Sequence, residues 1–108
     1  MNAQFKKGVL ELCVLAQLSQ GDKYGYQLTE AISKQMAVAA GTLYLVLRRL
    51  NEENYFETYL VESAEGPARK YYRLTTEGHQ HFQQLKTGWV EFVEKVNQLM
   101  KEDHHDKE

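Results

Sequence analysis

The order of segments along the chain predicts an α+β, mostly α fold: three helices, a two-stranded hairpin and a long last helix. Three observations carry this expectation. Apolar residues recur at helical spacing before residue 54 and again after residue 75, whereas residues 55–74 are rich in aromatic and β-branched types around a polar stretch containing Gly66-Pro67. A chain of 108 residues, 43% of them hydrophobic, is long enough for one compact core and too short for two.

The first helix is expected from Phe5 to Leu18, where Phe5, Val9, Leu10, Leu12, Cys13, Leu15, Ala16 and Leu18 cover most of the circumference, as a centrally buried helix requires. Gly21-Asp22 marks a turn. A second helix is expected from about Tyr24 to Gln35 along a Tyr24, Leu28, Ala31, Ile32 stripe, and a third from Ala39 or Ala40 to Glu53. Asn54 suits the left-handed position that ends a helix. Strands follow over residues 55–62 and 70–74, with the turn placed in Ser63 to Ala68 at Gly66-Pro67. Thr75 offers a hydroxyl cap, and Glu77 early negative charge, to a last helix running to roughly Met100. Helix, helix, helix, strand, strand, helix is the element order of a winged helix-turn-helix. The expected division is residues 1–75 for that unit, 76–101 for a dimerisation helix and 102–108 for a charged tail.

On the third helix, steps of about 100° place Val46, Leu47 and Leu50 within about 60° of Leu43, a coherent core stripe. Ala40, Gly41, Thr42, Tyr44, Leu45, Arg48 and Arg49 then occupy the start and the outer arc. A hydroxyl, a phenol and two guanidinium groups on one arc are the chemistry that holds phosphates and base edges, and Gly41 has no side chain to keep the backbone out of a groove. An ordinary solvated surface helix would look the same. The hairpin favours the first reading, because Gly66 with Arg69, Lys70 and Arg73 presents cations beside that helix. Strand alternation puts Arg69, Tyr71 and Arg73 on one face and Lys70, Tyr72 and Leu74 on the other, so only some of these cations can reach one duplex.

Charge alone argues less clearly. The chain carries 13 basic and 15 acidic residues for a net charge of −2, unlike the basic surface usual in nucleic-acid binders. Its distribution is uneven: residues 1–75 hold nine Lys or Arg against eight Asp or Glu, and residues 76–108 hold four against seven. Basic residues of the front part cluster at Lys6-Lys7, Arg48-Arg49 and Arg69-Lys70-Arg73. So modest a footprint implies strongly salt-sensitive binding.

In the last helix Phe82, Leu85, Trp89, Phe92, Val96 and Leu99 follow spacings of three, four, three, four and three, a heptad seam that Val93 and Met100 widen. A small core cannot cover a stripe of that length, so a homodimer is expected with these residues at its interface. Twofold symmetry would then set two recognition helices about one DNA turn, roughly 34 to 36 Å, apart over an inverted repeat.

Several motifs in order resemble the PadR family of bacterial transcriptional regulators, in its short form with a single carboxy-terminal helix. They are residues 7–12 (Lys-Gly-Val-Leu-Glu-Leu), residues 24–28 (Tyr-Gly-Tyr-Gln-Leu), Gly41-Thr42-Leu43-Tyr44 with Leu47-Arg48-Arg49-Leu50, and residues 69–75 with Glu77-Gly78. The resemblance spans about residues 4 to 100. It implies a dimeric repressor of double-stranded DNA, with Tyr24, Tyr44 and Lys70 at positions that approach the DNA backbone. Some members of the family it resembles bind flat hydrophobic molecules through a tryptophan on this helix, which makes Trp89 a candidate effector site, with Phe92 nearby; the residues themselves read first as Trp89 anchoring the interface. The chain departs from the family pattern at Leu45, where proline is usual, and at Ala37, Ala39 and Ala40, where polar residues are usual and alanine leaves the helix start uncapped.

Other classes find little support. A lone Cys13 among leucines and valine reads as a packed, inert thiol rather than a nucleophile or metal ligand. His79 and His81, at i and i+2, do not face each other, and His104-His105 lie in the charged tail, so neither a metal nor a cofactor is expected. No phosphate loop or nucleophile–base motif suggests an enzyme. No apolar run approaches the roughly 18 to 20 residues of a membrane span, and a signal pattern is absent, so a cytoplasmic protein is expected. The rival reading is a winged-helix protein-interaction module that uses this fold without DNA.

Overall fold

The computed structural model describes residues 3–101, and side-chain surroundings from residue 8 onward. Phe5 and the expected Lys6-Lys7 cluster lie outside the described side chains, and the tail 102–108 outside the described residues. The elements are α1 (Ala3–Ser19), β1 (Lys23–Tyr24), α2 (Gly25–Ser33), α3 (Ala40–Glu52), β2 (Phe56–Ser63), β3 (Gly66–Leu74) and α4 (Thr76–Met100). The fold is a mostly helical α+β winged helix-turn-helix.

α1 runs through the centre, with Leu10, Val14, Leu15 and Leu18 buried against Leu28 and Ile32 of α2 and the Leu43, Val46, Leu47, Leu50 stripe of α3. Phe56, Tyr72 and Leu74 close the core from the sheet, Phe56 and Tyr72 meeting edge to face at 5.0 Å. Cys13 is half-buried at the core's margin, and burial pushes its thiol up from the ordinary value, which disfavours the thiolate.

The structure adds a strand to the expected order. β1 is two residues long and pairs antiparallel with β3 (Lys23 with Tyr72, Tyr24 with Tyr71), giving the sheet order β1-β3-β2. Tyr24 therefore precedes α2 rather than lying in it, its backbone N–H donating to Gln27 Oε1 at 3.1 Å, and α2 ends at Ser33, two residues short of the expected Gln35.

The turn also moves. Ser63 pairs with Gly66 across a two-residue loop, Ala64-Glu65, so Gly66-Pro67 opens β3 instead of forming the turn. Gly66 takes φ 157°, backbone territory that a side chain disfavours. β1 covers only Tyr71 and Tyr72 of β3, so one edge is free beside Pro67, where a missing N–H is tolerated. A bulge between Val61 and Ser63 takes up the register shift.

Asn54 adopts φ 63°, as expected for the residue ending α3. Thr75 clips this corner to α4. Its hydroxyl donates to the Asn54 carbonyl at 2.7 Å and accepts from the Gly78 N–H at 3.0 Å.

α4 lies along α1 at its start and then leaves the core, which stretches the chain to 69 × 28 × 21 Å. One expected interface residue is corrected here. Phe82 is only 7% exposed and packs into the protomer's own core, because it lies one turn after the buried Gly78 while α4 is still seated. Leu85 is partly covered by the same core. Trp89, Phe92 and Leu99 are 36%, 51% and 87% exposed, with Val93 and Val96 half-buried between them.

Candidate nucleic-acid interface

α3 exposes what its hydrophobic periodicity leaves over. With Leu43, Val46, Leu47 and Leu50 inward, Ala40, Gly41, Thr42, Tyr44, Leu45, Arg48 and Arg49 lie on the outer surface. Ala39 is the residue before the first turn and provides no side-chain cap; its carbonyl accepts from the Thr42 and Leu43 N–H groups, which leaves those of Ala40 and Gly41 to an outside acceptor. Leu45 is 62% exposed at the middle of this surface.

The wing faces α3 through one side of its strands. Alternation turns Thr58 of β2 and Lys70 and Tyr72 of β3 toward the helix, and together with Tyr44, Leu47, Arg48, Asn51 and Phe56 they line a cleft of about 210 Å³. Tyr72 forms its floor. Burial, reinforced by the neighbouring Tyr44, holds its phenol protonated, its pKa raised above the ordinary value. Lys70 lies over the Tyr72 ring at 5.8 Å, and Arg48 makes only a long, exposed 4.0 Å contact with Glu52. Both cations therefore remain available to an anion at little cost. Asn51 and Thr58 join the site unforeseen, since neither residue stands out until the helix and strand are seen side by side.

The remaining expected residues fall into three other places. Tyr24 and Arg69 are on the opposite face of the sheet, where the Arg69 guanidinium sits 4.7 Å over the Tyr24 ring. Tyr24 also packs on Tyr71 at 5.4 Å, and Tyr71 stacks on Tyr59 at 5.5 Å. Arg73 ends this row, bonded to Asp22 at 3.2 Å and Glu57 at 3.3 Å and lying 4.5 Å over Tyr59. The Asp22 carboxylate, which also accepts from the Tyr59 hydroxyl at 2.7 Å, raises the pKa of both partners. Arg73 is thus a brace at the base of the wing. Arg49 points the other way, back beneath α3, where it pairs with Glu11 of α1. Gly66 stands at the exposed hairpin end.

A second concavity lies far from the first. Gly8, Val9 and Leu12 of α1 with Gln84, Leu85, Gly88, Trp89 and Phe92 of α4 line an open, mainly apolar groove of about 370 Å³. The Trp89 and Phe92 rings are 6.4 Å apart at its rim. Among the described residues no His, Cys, Asp and Glu side chains gather into a metal-binding group, and no helix is long and apolar enough to cross a membrane.

This geometry is shared with known proteins. A PadR-like transcriptional regulator from Bacillus cereus strain ATCC 14579 superposes with a TM-score of 0.83 at 36% identity, covering 94% of this chain and 100% of that one. A Streptococcus transcriptional regulator superposes with a TM-score of 0.84 at 31% identity, covering 93% and 100%. An uncharacterised protein of Lysinibacillus sphaericus is 31% identical over 98 residues, 87% of this chain and 90% of its own length. The family model of the transcriptional regulator PadR-like family matches residues 14–84, from the middle of α1 through α3 and the wing to the seated part of α4, and the chain belongs to that family.

Proposed function

We propose that the protein is a sequence-specific DNA-binding repressor that acts in the cytoplasm as a homodimer on an inverted-repeat operator. One observation carries this reading: Tyr44 and Arg48 of α3 and Lys70 of the wing line a single cleft, so helix and wing can hold one phosphate backbone together. The uncapped start of α3, with Ala40, Gly41 and Thr42, and the exposed Leu45 would meet the major groove, Leu45 suiting a thymine methyl. Gly66, and Arg69 held by Tyr24, would reach the flanking backbone. Arg49, engaged with Glu11, stands outside these contacts.

Dimerisation rests on α4. The exposed Trp89, Phe92 and Leu99, with the half-buried Val93 and Val96, form an apolar stripe that the protomer's own core leaves partly uncovered, and Leu85 borders it. Selection of bound sequences from random duplex DNA tests the whole reading. The expected outcome is an enriched palindrome with half-sites about one helical turn apart. Enrichment of nothing at low salt would favour the protein-interaction module instead.

Release by a hydrophobic aromatic effector is the further part of this proposal. The groove under Trp89 and Phe92 has the size and apolar lining of a small-molecule site. Trp89 is the chain's single tryptophan, so its fluorescence reports directly. Saturable quenching by flat aromatic cations is expected; an unchanged spectrum across a broad panel would leave Trp89 as an interface anchor alone.

A further inference from the structure

Glu11 is the one buried charged side chain among the described residues, 7% exposed in the middle of α1. Arg49 of α3 donates to one of its carboxylate oxygens, and His81 Nε2 of α4 lies 3.4 Å from the other. The His81 ring is itself stacked on Tyr55 at 4.1 Å and 8°, in the corner between α3 and β2. One carboxylate thus joins the central helix, the recognition helix and the helix of the apolar stripe.

An ion pair with one buried partner, Glu11, and one half-exposed partner, Arg49, contributes little net stability, because desolvation of the carboxylate offsets much of the attraction. Its effect is geometric. The apolar stripe of α3 would tolerate small rotations about the helix axis, since dispersion and burial are non-directional. A hydrogen bond from Arg49 is directional, and fixing Arg49 fixes the adjacent Arg48, about 100° round the helix on the cleft side.

We propose that Glu11 is a positioning residue for DNA reading: through Arg49, and with His81 orienting the carboxylate, it sets the pose in which α3 presents Tyr44 and Arg48. This inference rests on the DNA-binding reading above. It assigns Arg49 an inward task, not a phosphate contact.

The test compares affinities for the duplex enriched by selection and for a scrambled duplex of equal length, at one salt concentration, in wild type, Glu11→Gln, Arg49→Gln and the double variant. Each single change is expected to lower the ratio of the two affinities about tenfold, with no further loss in the double variant, as for residues acting through one link. Binding to the scrambled duplex should stay within about twofold in Arg49→Gln, with an unchanged salt slope. His81→Phe, which keeps the ring on Tyr55, should lower the ratio about threefold if hydrogen-bond orientation is what His81 supplies. A Glu11→Leu, Arg49→Met variant restores apolar packing and should fold yet lose the preference as the others do. An unchanged ratio in folded variants overturns the proposal, as does an Arg49→Gln salt slope reduced by about one, which marks Arg49 as a phosphate contact. Failure of wild type to prefer the enriched duplex would instead sink the regulator reading itself.

Discussion

Changing Arg48 and Lys70 together to alanine is expected to weaken operator binding about 100-fold or more, equivalent to about 2.7 kcal/mol. The dependence of affinity on salt should flatten at the same time, its logarithmic slope falling by about 1.8 for two lost phosphate contacts. These side chains face each other across the cleft from different elements, and neither has a strong partner inside the protein. Removing them should therefore leave the fold intact, with a change in stability within about 0.5 kcal/mol. Arg73→Ala is the informative comparison. It removes one cation from the strand that carries Lys70, but from the face where Asp22 and Glu57 already hold it, so the salt slope should not move. Titrations of labelled duplex at several salt concentrations decide the matter. Equal slopes for wild type and the double variant would remove the cleft from the DNA interface.

How far this site could be read from residues alone follows from the range of each signal. The core stripe of α3, the left-handed Asn54 and the Thr75 cap depend on neighbours within a turn or two, and the structure has them where periodicity and capping chemistry put them. The faces of Lys70 and Arg69 follow from strand alternation in the same way. β1 was hidden because two residues hold no period, and the hairpin turn was displaced because Gly-Pro is equally at home at the free edge of a strand. Other features depend on long-range neighbours. The partner of Arg49 is 38 positions away at Glu11, and Asn51 and Thr58 are unremarkable until the cleft assembles. Phe82 fits the heptad seam perfectly well by spacing, yet the protomer's own core takes it, because a helix that begins seated and ends free has one stripe serving two purposes.

The seat of that helix should fail on the smallest of substitutions, Gly78→Ala. A Cβ on Gly78 would stand 1.8 Å from the Tyr55 carbonyl oxygen, 2.9 Å from its carbon and 3.2 Å from Leu74 Cδ2. The first two are backbone atoms, and they have nowhere to go. The Tyr55 carbonyl accepts the Thr75 N–H at 3.1 Å, Asn54 before it is already in a left-handed conformation, and the Tyr55 ring is stacked on His81. Relief therefore requires α4 to lift, which breaks the Thr75 cap and uncovers Phe82 beneath it. Overpacking usually costs 1 to 3 kcal/mol when side chains can adjust, and with rigid backbone opposite a loss of at least about 3 kcal/mol is expected. For a domain of this size that is a fall in melting temperature of about 12 °C or more. Thermal unfolding followed by circular dichroism measures it. A melting point within about 2 °C of wild type would mean that α4 does not approach Tyr55 this closely, since any real contact of this kind costs more than such a shift allows. Because Glu11 and His81 meet just beyond this seat, α4 held against Tyr55 is also the condition under which the carboxylate can connect α4 to the recognition helix.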